Sequence, residues 1–147
     1  METELTDFEA SHLREMEKLR KFEDMYKYPD LGGGISIPLV SANNKEEFSL
    51  AISRGHIDIS RNSFVNVARK AIPLVRLDLA GGIHRNPDGT EISLPHIYIY
   101  KEGFALKWAY PLPKELEGCS SVPEYLDKFM DFCHITKKPK IDMGLFV

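Results

Sequence analysis

Seven residues in the middle of this 147-residue chain are of types that exchange protons, hold anions or stack: Arg76, Asp78, His84, His96, Tyr98, Tyr100 and Lys107. Histidine titrates near neutral pH, so two histidines with an Arg or Lys can serve as base, acid and anion stabiliser in phosphodiester cleavage. If the chain is an enzyme, His96 and Arg76 are the expected catalytic residues, with Lys107 as a second phosphate stabiliser. The register derived below separates His84 from His96 by four residues, about 13 Å by strand rise, which is too far to serve one phosphate. No metal site is expected, because His84, His96 and Asp88 lack the short ligand spacings of a zinc centre. No cofactor is expected either. Gly32-Gly33-Gly34 has no following Lys-Ser/Thr, and Gly81-Gly82 lacks a dinucleotide-binding context.

The elements that must position these residues are read from a turn. Asn86-Pro87-Asp88-Gly89 has the residue types of a type I turn followed by a left-handed glycine. That turn sets His84 opposite Ile92, and carried onward it sets Ala80 opposite His96 and Asp78 opposite Tyr98. A second turn at Glu102-Gly103 pairs Lys101 with Phe104, and so places Tyr98 beside Lys107 and Ile97 beside Trp108. One face of this antiparallel meander then carries Val75, Leu77, Leu79, Ile83, Ile97, Ile99, Leu106 and Trp108 as core. The other collects Arg76, Asp78, His96, Tyr98, Tyr100 and Lys107, with His84 near the turn. Exposed sheet faces usually carry Thr, Lys, Glu and Ser, so this mixture reads as a contact surface. Cross-strand pairs of these types also stabilise a sheet on their own, by roughly 0.2–1 kcal/mol each.

Before the meander, Leu5, Phe8, His12, Met16, Leu19, Phe22 and Tyr26 recur every three or four residues, which predicts an amphipathic helix over 4–28 capped by Thr6 or Thr3. Pro29 and the three glycines end it, and 29–45 reads as a Gly-rich linker. Such a stripe packs on the sheet or pairs with a second copy, making a homodimer through this helix an expected alternative. Phe48, Leu50 and Ile52 alternate, and after Arg54-Gly55 so do Ile57 and Ile59. Strands are also expected over Ser63–Arg69 and Leu74–Ile83. The antiparallel sheet thus spans 46–112 with five or six strands. Ser121 and Glu124 have capping-box spacing and open a helix over 121–134, with Leu126, Phe129, Met130 and Cys133 on one side. Residues 135–147 read as a surface tail. The fold class is α+β in a single domain of 1–147, with both helices on the apolar face of the sheet.

Composition narrows the function classes. No apolar run approaches a membrane span. The acidic start METELTDFEASHLREMEKLRK is no signal peptide. Two cysteines, Cys119 and Cys133, are too few for a disulfide framework, so a cytoplasmic setting is expected. The net charge of −3 averages an acidic first thirty residues (nine acids, five bases) with a basic 31–76 (three acids, six bases). Arg54, Arg61, Arg69, Lys70 and Arg76 could follow a nucleic-acid backbone. The overall charge and the lack of a recognition helix argue against it. His12, His56 and His134 stand isolated.

The run Arg76-Leu77-Asp78-Leu79, His84-Arg85-Asn86-Pro87-Asp88-Gly89, Pro95-His96-Ile97-Tyr98-Ile99-Tyr100, Glu102-Gly103 and Trp108-Ala109 resembles a family of small uncharacterised proteins from bacteria and their prophages, a domain of unknown function. The resemblance spans about Phe48 to Cys133. In that pattern a second histidine commonly stands where this chain has Tyr98, so a His-x-His mechanism is not implied. The histidine-rich hairpin also resembles some toxin components of toxin–antitoxin systems. The resemblance implies a cytoplasmic accessory protein of a bacterium or phage. The leading expectation is a binding or regulatory module contacting a protein partner through its polar sheet face. The alternatives are a toxin-like endoribonuclease and a binder of a small anion such as a nucleotide.

Overall fold

The computed structural model describes residues 4–144. Two helices and a mostly antiparallel eight-stranded sheet make an α+β fold. The strands are β1 (Lys18–Arg20), β2 (Met25–Lys27), β3 (Gly34–Ser41), β4 (Glu47–Arg54), β5 (Asn62–Ala68), β6 (Ile72–Asp78), β7 (His84–Arg85), β8 (Glu91–Ile92), β9 (His96–Ile99), β10 (Ala109–Pro111), β11 (Ile135–Lys137) and β12 (Lys140–Asp142). The large sheet runs β10-β9-β6-β5-β4-β3-β1-β11, with β1 and β11 parallel. Two small ladders, β12-β2 and β7-β8, stand beside it.

Sequence alternation dictates the layers. Ile37, Leu39, Phe48, Leu50, Ile52, Phe64, Val75, Leu77 and Ile97 are buried and form the core with helices α1 (Asp7–Glu15) and α2 (Val122–Phe132). The Phe64 and Phe129 rings meet at 5.9 Å, which places α2 on this side of β5. Neighbouring residues on the same strands, such as Ser49, Ala51, Val65 and Val67, point the other way and are only half-buried. The second face of the sheet is therefore open.

Several expectations need correction. The N-terminal helix does not span 4–28. It ends at Glu15, where Met16 turns to an extended backbone. The reason is Lys18, whose side chain is fully buried beneath the helix end. Its ammonium donates to the carbonyls of Arg14 (2.9 Å), Met16 (2.9 Å) and Cys133 (2.8 Å) and lies 4.9 Å from the Phe48 ring centroid. One cation thereby closes the C-terminal ends of both helices, where carbonyls lack intrahelical partners. Burial pushes its pKa down to about 8. The expected stripe is divided among α1, β1, β2 and the segments beside them, with Leu5 buried and Phe8 82% exposed. Thr6 is the N-cap, and its hydroxyl and the Glu9 carboxylate form a full capping box. Thr3 lies outside the described residues.

The expected linker of 29–45 holds β3, which is central to one half of the sheet. Pro38 is tolerated there because its carbonyl accepts from Lys21 N–H, just past the end of β1, so its missing N–H takes nothing from the β3–β4 ladder. Ile57 and Ile59 form no strand and are 93% and 65% exposed. The strand expected over Leu74–Ile83 stops at Asp78, and Ile83 is 64% exposed rather than core. The expected tail of 135–147 includes β11 and β12, while residues 145–147 lie outside the described residues. The C-terminal helix is α2, with Ser121 accepting from Glu124 N–H at 3.3 Å, and Cys133 is buried as expected. The eight strands of the main sheet exceed the expected five or six because β1 and β11 pair across a long sequence separation and β3, the hairpin partner of β4, lies in the residues that read as a linker. Among the described residues no helix is long and apolar enough to cross a membrane.

Candidate functional site

The Asn86–Gly89 turn forms as its residue types demand. Gly89 adopts φ +91°, its N–H donates to the Asn86 carbonyl (2.8 Å), and His84 pairs with Ile92. That ladder is two residues long and does not continue into β9. Ser93, Leu94 and Pro95 carry no strand, so the register restarts. Asp78, not Ala80, faces His96, and Arg76, not Asp78, faces Tyr98. On the far side Tyr98 faces Ala109 rather than Lys107, and Ile97 faces Tyr110 rather than Trp108. Lys101 bridges Ala105 instead of Phe104.

These shifts leave the alternation intact, so one open-face row reads Ser36, Ala51, Val65, Arg76, Tyr98 and Ala109. The next includes Ser63, Asp78 and His96. The β7–β8 hairpin folds back and lays His84 over Tyr98, with ring centroids 4.9 Å apart. The hairpin is held by Asn86, whose carboxamide accepts from Ala109 N–H (2.8 Å) and donates to its carbonyl (3.0 Å). The histidine rings consequently stand 6.1 Å apart, where strand rise along one ladder implied about 13 Å.

The hydrogen bonds form a connected chain. Arg76 Nε (2.7 Å) and Ser63 Oγ (2.8 Å) both donate to Asp78 Oδ1. Asp78 Oδ2 lies 3.8 Å from His96 Nε2. His96 Nδ1 donates to the Ser93 carbonyl (3.3 Å), which leaves Nε2 as acceptor for the Tyr98 hydroxyl at 3.0 Å. His84 Nε2 donates to the Lys107 carbonyl (2.7 Å), so its Nδ1 is a second acceptor, 3.5 Å from the same hydroxyl. One phenolic proton thus stands between two imidazole acceptors. Burial first, then the charge of the nearby Asp78 carboxylate, push the Tyr98 phenol above its ordinary value against the pull of Arg76.

Exposure divides the cluster. His96 and Asp78 are buried, His84 and Tyr98 half-exposed, and Arg76 exposed. The Arg76 guanidinium lies 5.7 Å from the Tyr98 ring centroid, and its two Nη groups have no hydrogen-bond partner among the described residues. What meets a molecule in solution is therefore Arg76, Tyr98 and His84, with His96 and Asp78 as their buried supports.

Five of the seven expected residues assemble, and two do not. Tyr100 is buried away from the cluster, accepting from Leu5 N–H (2.7 Å) and donating to the Leu5 carbonyl (3.2 Å). The alternation that would keep it beside Tyr98 is lost because β9 stops at Ile99, next to Leu74, the extra residue that β6 carries opposite β5. Lys107 supplies its carbonyl to His84, while its exposed side chain lines a separate cavity with Tyr100 and Phe104. Sequence reasoning missed Ser63 and the second role of Asn86. A serine one strand over from Asp78 gives no signal in sequence. Asn86 was legible only as a turn residue. Of the basic cluster, Arg69 pairs with Glu46 (2.9 Å) and Arg54 stacks at 5.8 Å on Tyr28, so those charges are not gathered with Arg76. Among the described residues no three His, Cys, Asp or Glu side chains are grouped to hold a metal.

Fold and cluster together define a two-layer α+β protein with one helix-covered sheet face and one open face carrying a His–Tyr–His chain. The chain belongs to the family of unknown function DUF6978, whose model matches residues 5–135. No curated protein and no solved structure matches it.

Proposed function

We propose that this chain is a binding or regulatory module whose contact surface is the open sheet face, centred on Arg76, Tyr98 and His84, and whose partner is a protein. One observation carries the reading. Arg76 is anchored through Nε to Asp78 and backed by Tyr98, yet its side chain is 45% exposed and its outer guanidinium edge has no partner among the described residues. A pre-positioned Arg beside an aromatic ring is the kind of anchor that carries binding energy at protein interfaces. The bacterial and prophage resemblance directs the search for that partner to a cytoplasmic protein, in a setting of phage–host conflict. Partners captured from a bacterial lysate by the wild type are expected to be lost with Arg76→Ala combined with Tyr98→Ser. An unchanged set on a folded double variant overturns the proposal.

A second reading, an endoribonuclease, is favoured by the 6.1 Å separation of two imidazoles sharing the Tyr98 hydroxyl. The burial of His96 makes His84 its accessible proton carrier, with His96 behind it and Arg76 on the phosphate. Expression of wild type, His84→Ala and His96→Ala in a bacterial host, scored by growth and RNA integrity, decides it. Equal harmlessness of all three removes the reading.

A further inference from the structure

The open face continues past the histidine cluster. Pro38, Ala51, Val65, Val67 and Pro73 form its centre, all half-exposed, small or apolar, with both helices committed to the other side of the sheet. Beyond them Lys21 and Lys70 flank a cavity of about 230 Å³ that also includes Pro38 and Ser49. The charges on the face are Arg76, Lys21 and Lys70 against two carboxylates, Asp78, buried and 2.7 Å from Arg76 Nε, and Glu47, which lies 3.4 Å from Lys21 and 4.0 Å from Lys70. Apolar in the middle, net positive by one charge and with outward cationic groups at both ends, the face is complementary to an apolar strip bounded by carboxylates.

Resting on the binding-face reading above, we infer that the partner presents an acidic amphipathic segment, its apolar side on Val65 and Val67 and a carboxylate on the outer guanidinium edge of Arg76. Charge complementarity selects this occupant over a second copy, since two such faces brought together would oppose like charges. It also selects against single-stranded nucleic acid, which needs free aromatic faces for its bases. Tyr98 is the aromatic residue of these rows, and Arg76, His84 and His96 already surround its ring at 5.7, 4.9 and 5.0 Å.

The test is an NMR titration of the isotope-labelled full chain with three probes. These are a synthetic amphipathic peptide with Leu and Ala on one side and Glu on the other, the same peptide with Lys for Glu, and a 12-nucleotide oligouridine. The acidic peptide is expected to shift the amides of Val65, Val67 and Arg76, and Arg76→Glu to weaken its binding about tenfold. The lysine peptide and the RNA are expected to leave the face unperturbed. No response to the acidic peptide, equal binding of the lysine peptide, or binding of the RNA instead overturns the inference. If the acidic peptide fails while Arg76→Ala with Tyr98→Ser still abolishes partner capture, the binding face stands and only the partner's chemistry is wrong.

Discussion

Asn86 grips Ala109 with both ends of its carboxamide, at 2.8 and 3.0 Å, and so bolts a two-residue hairpin to the edge strand that pairs with Tyr98. His84 owes its place over the Tyr98 ring to this clip, because the β7–β8 ladder is too short to be rigid alone. Asn86→Ala leaves the Ala109 N–H and carbonyl unpaired and is expected to cost about 2 kcal/mol in denaturant unfolding. The same variant should lose the close contacts between the His84 and Tyr98 rings in NMR spectra, while β6 and β9 keep theirs.

The shared phenolic proton makes a sharper prediction. Tyr98→Phe keeps the ring that backs Arg76 and removes only the donor to His96 and His84. Stability should fall by about 1 kcal/mol. The nitrogen shifts of His96 Nε2 and His84 Nδ1 should both move, and those of His12 and His134 should not. A change confined to one cluster histidine would show that the hydroxyl serves only that ring.

Lys18 governs stability at alkaline pH. Lys18→Met strands three carbonyls and is expected to cost about 3 kcal/mol at pH 7. The folded chain releases the Lys18 proton near pH 8, whereas the unfolded chain holds it to about 10.5. Between those values the unfolded state binds more protons, so this residue's contribution to stability rises with pH. The gap between wild type and Lys18→Met should therefore widen by about 3 kcal/mol from pH 8 to 10.5. A gap that stays constant would mean the buried ammonium is not destabilised by its surroundings.

Glu23 acts at the acid end. Its hydrogen bonds from Arg20, reinforced by Lys137, hold the carboxyl down to about 2. Lys140 lies 3.6 Å away, so one carboxylate links β1 with β11 and β12. A depressed carboxyl contributes stability above its unfolded value, and that contribution is lost as pH falls from about 4.5 toward 2. The difference in Tm between wild type and Glu23→Gln should be present at pH 6 and vanish by pH 2.

What the sequence made legible was local. The alternation of Phe48, Leu50 and Ile52, the Asn86–Gly89 turn, the His84–Ile92 pair and the Ser121 cap all follow from neighbours a few residues apart. The open-face membership of Arg76, Asp78, His96 and Tyr98 was legible too, because strand alternation survives an error in register. What failed depended on distant partners. Leu5, Phe8, His12 and Met16 recur at a helical period, but Lys18 is drawn under the helix end by Cys133, more than a hundred residues away, and the helix stops. Residues 29–45 looked like a linker because Gly32-Gly33-Gly34 and Pro38 mask the alternation of Ile37 and Leu39, and nothing local announces β1, the partner of β3 on the side away from β4. The His84–His96 separation failed because it treated one turn's register as running through Ser93–Pro95, when the hairpin folds back over Tyr98 instead.

The central claim is that the open face, not the helical side, meets the partner, and hydroxyl-radical footprinting of the free chain against the captured complex tests it most directly. Protection of Tyr98, His84 and Pro73 is expected, with Phe8, exposed on α1, remaining reactive. Protection of Phe8 with Tyr98 and His84 unchanged would contradict it.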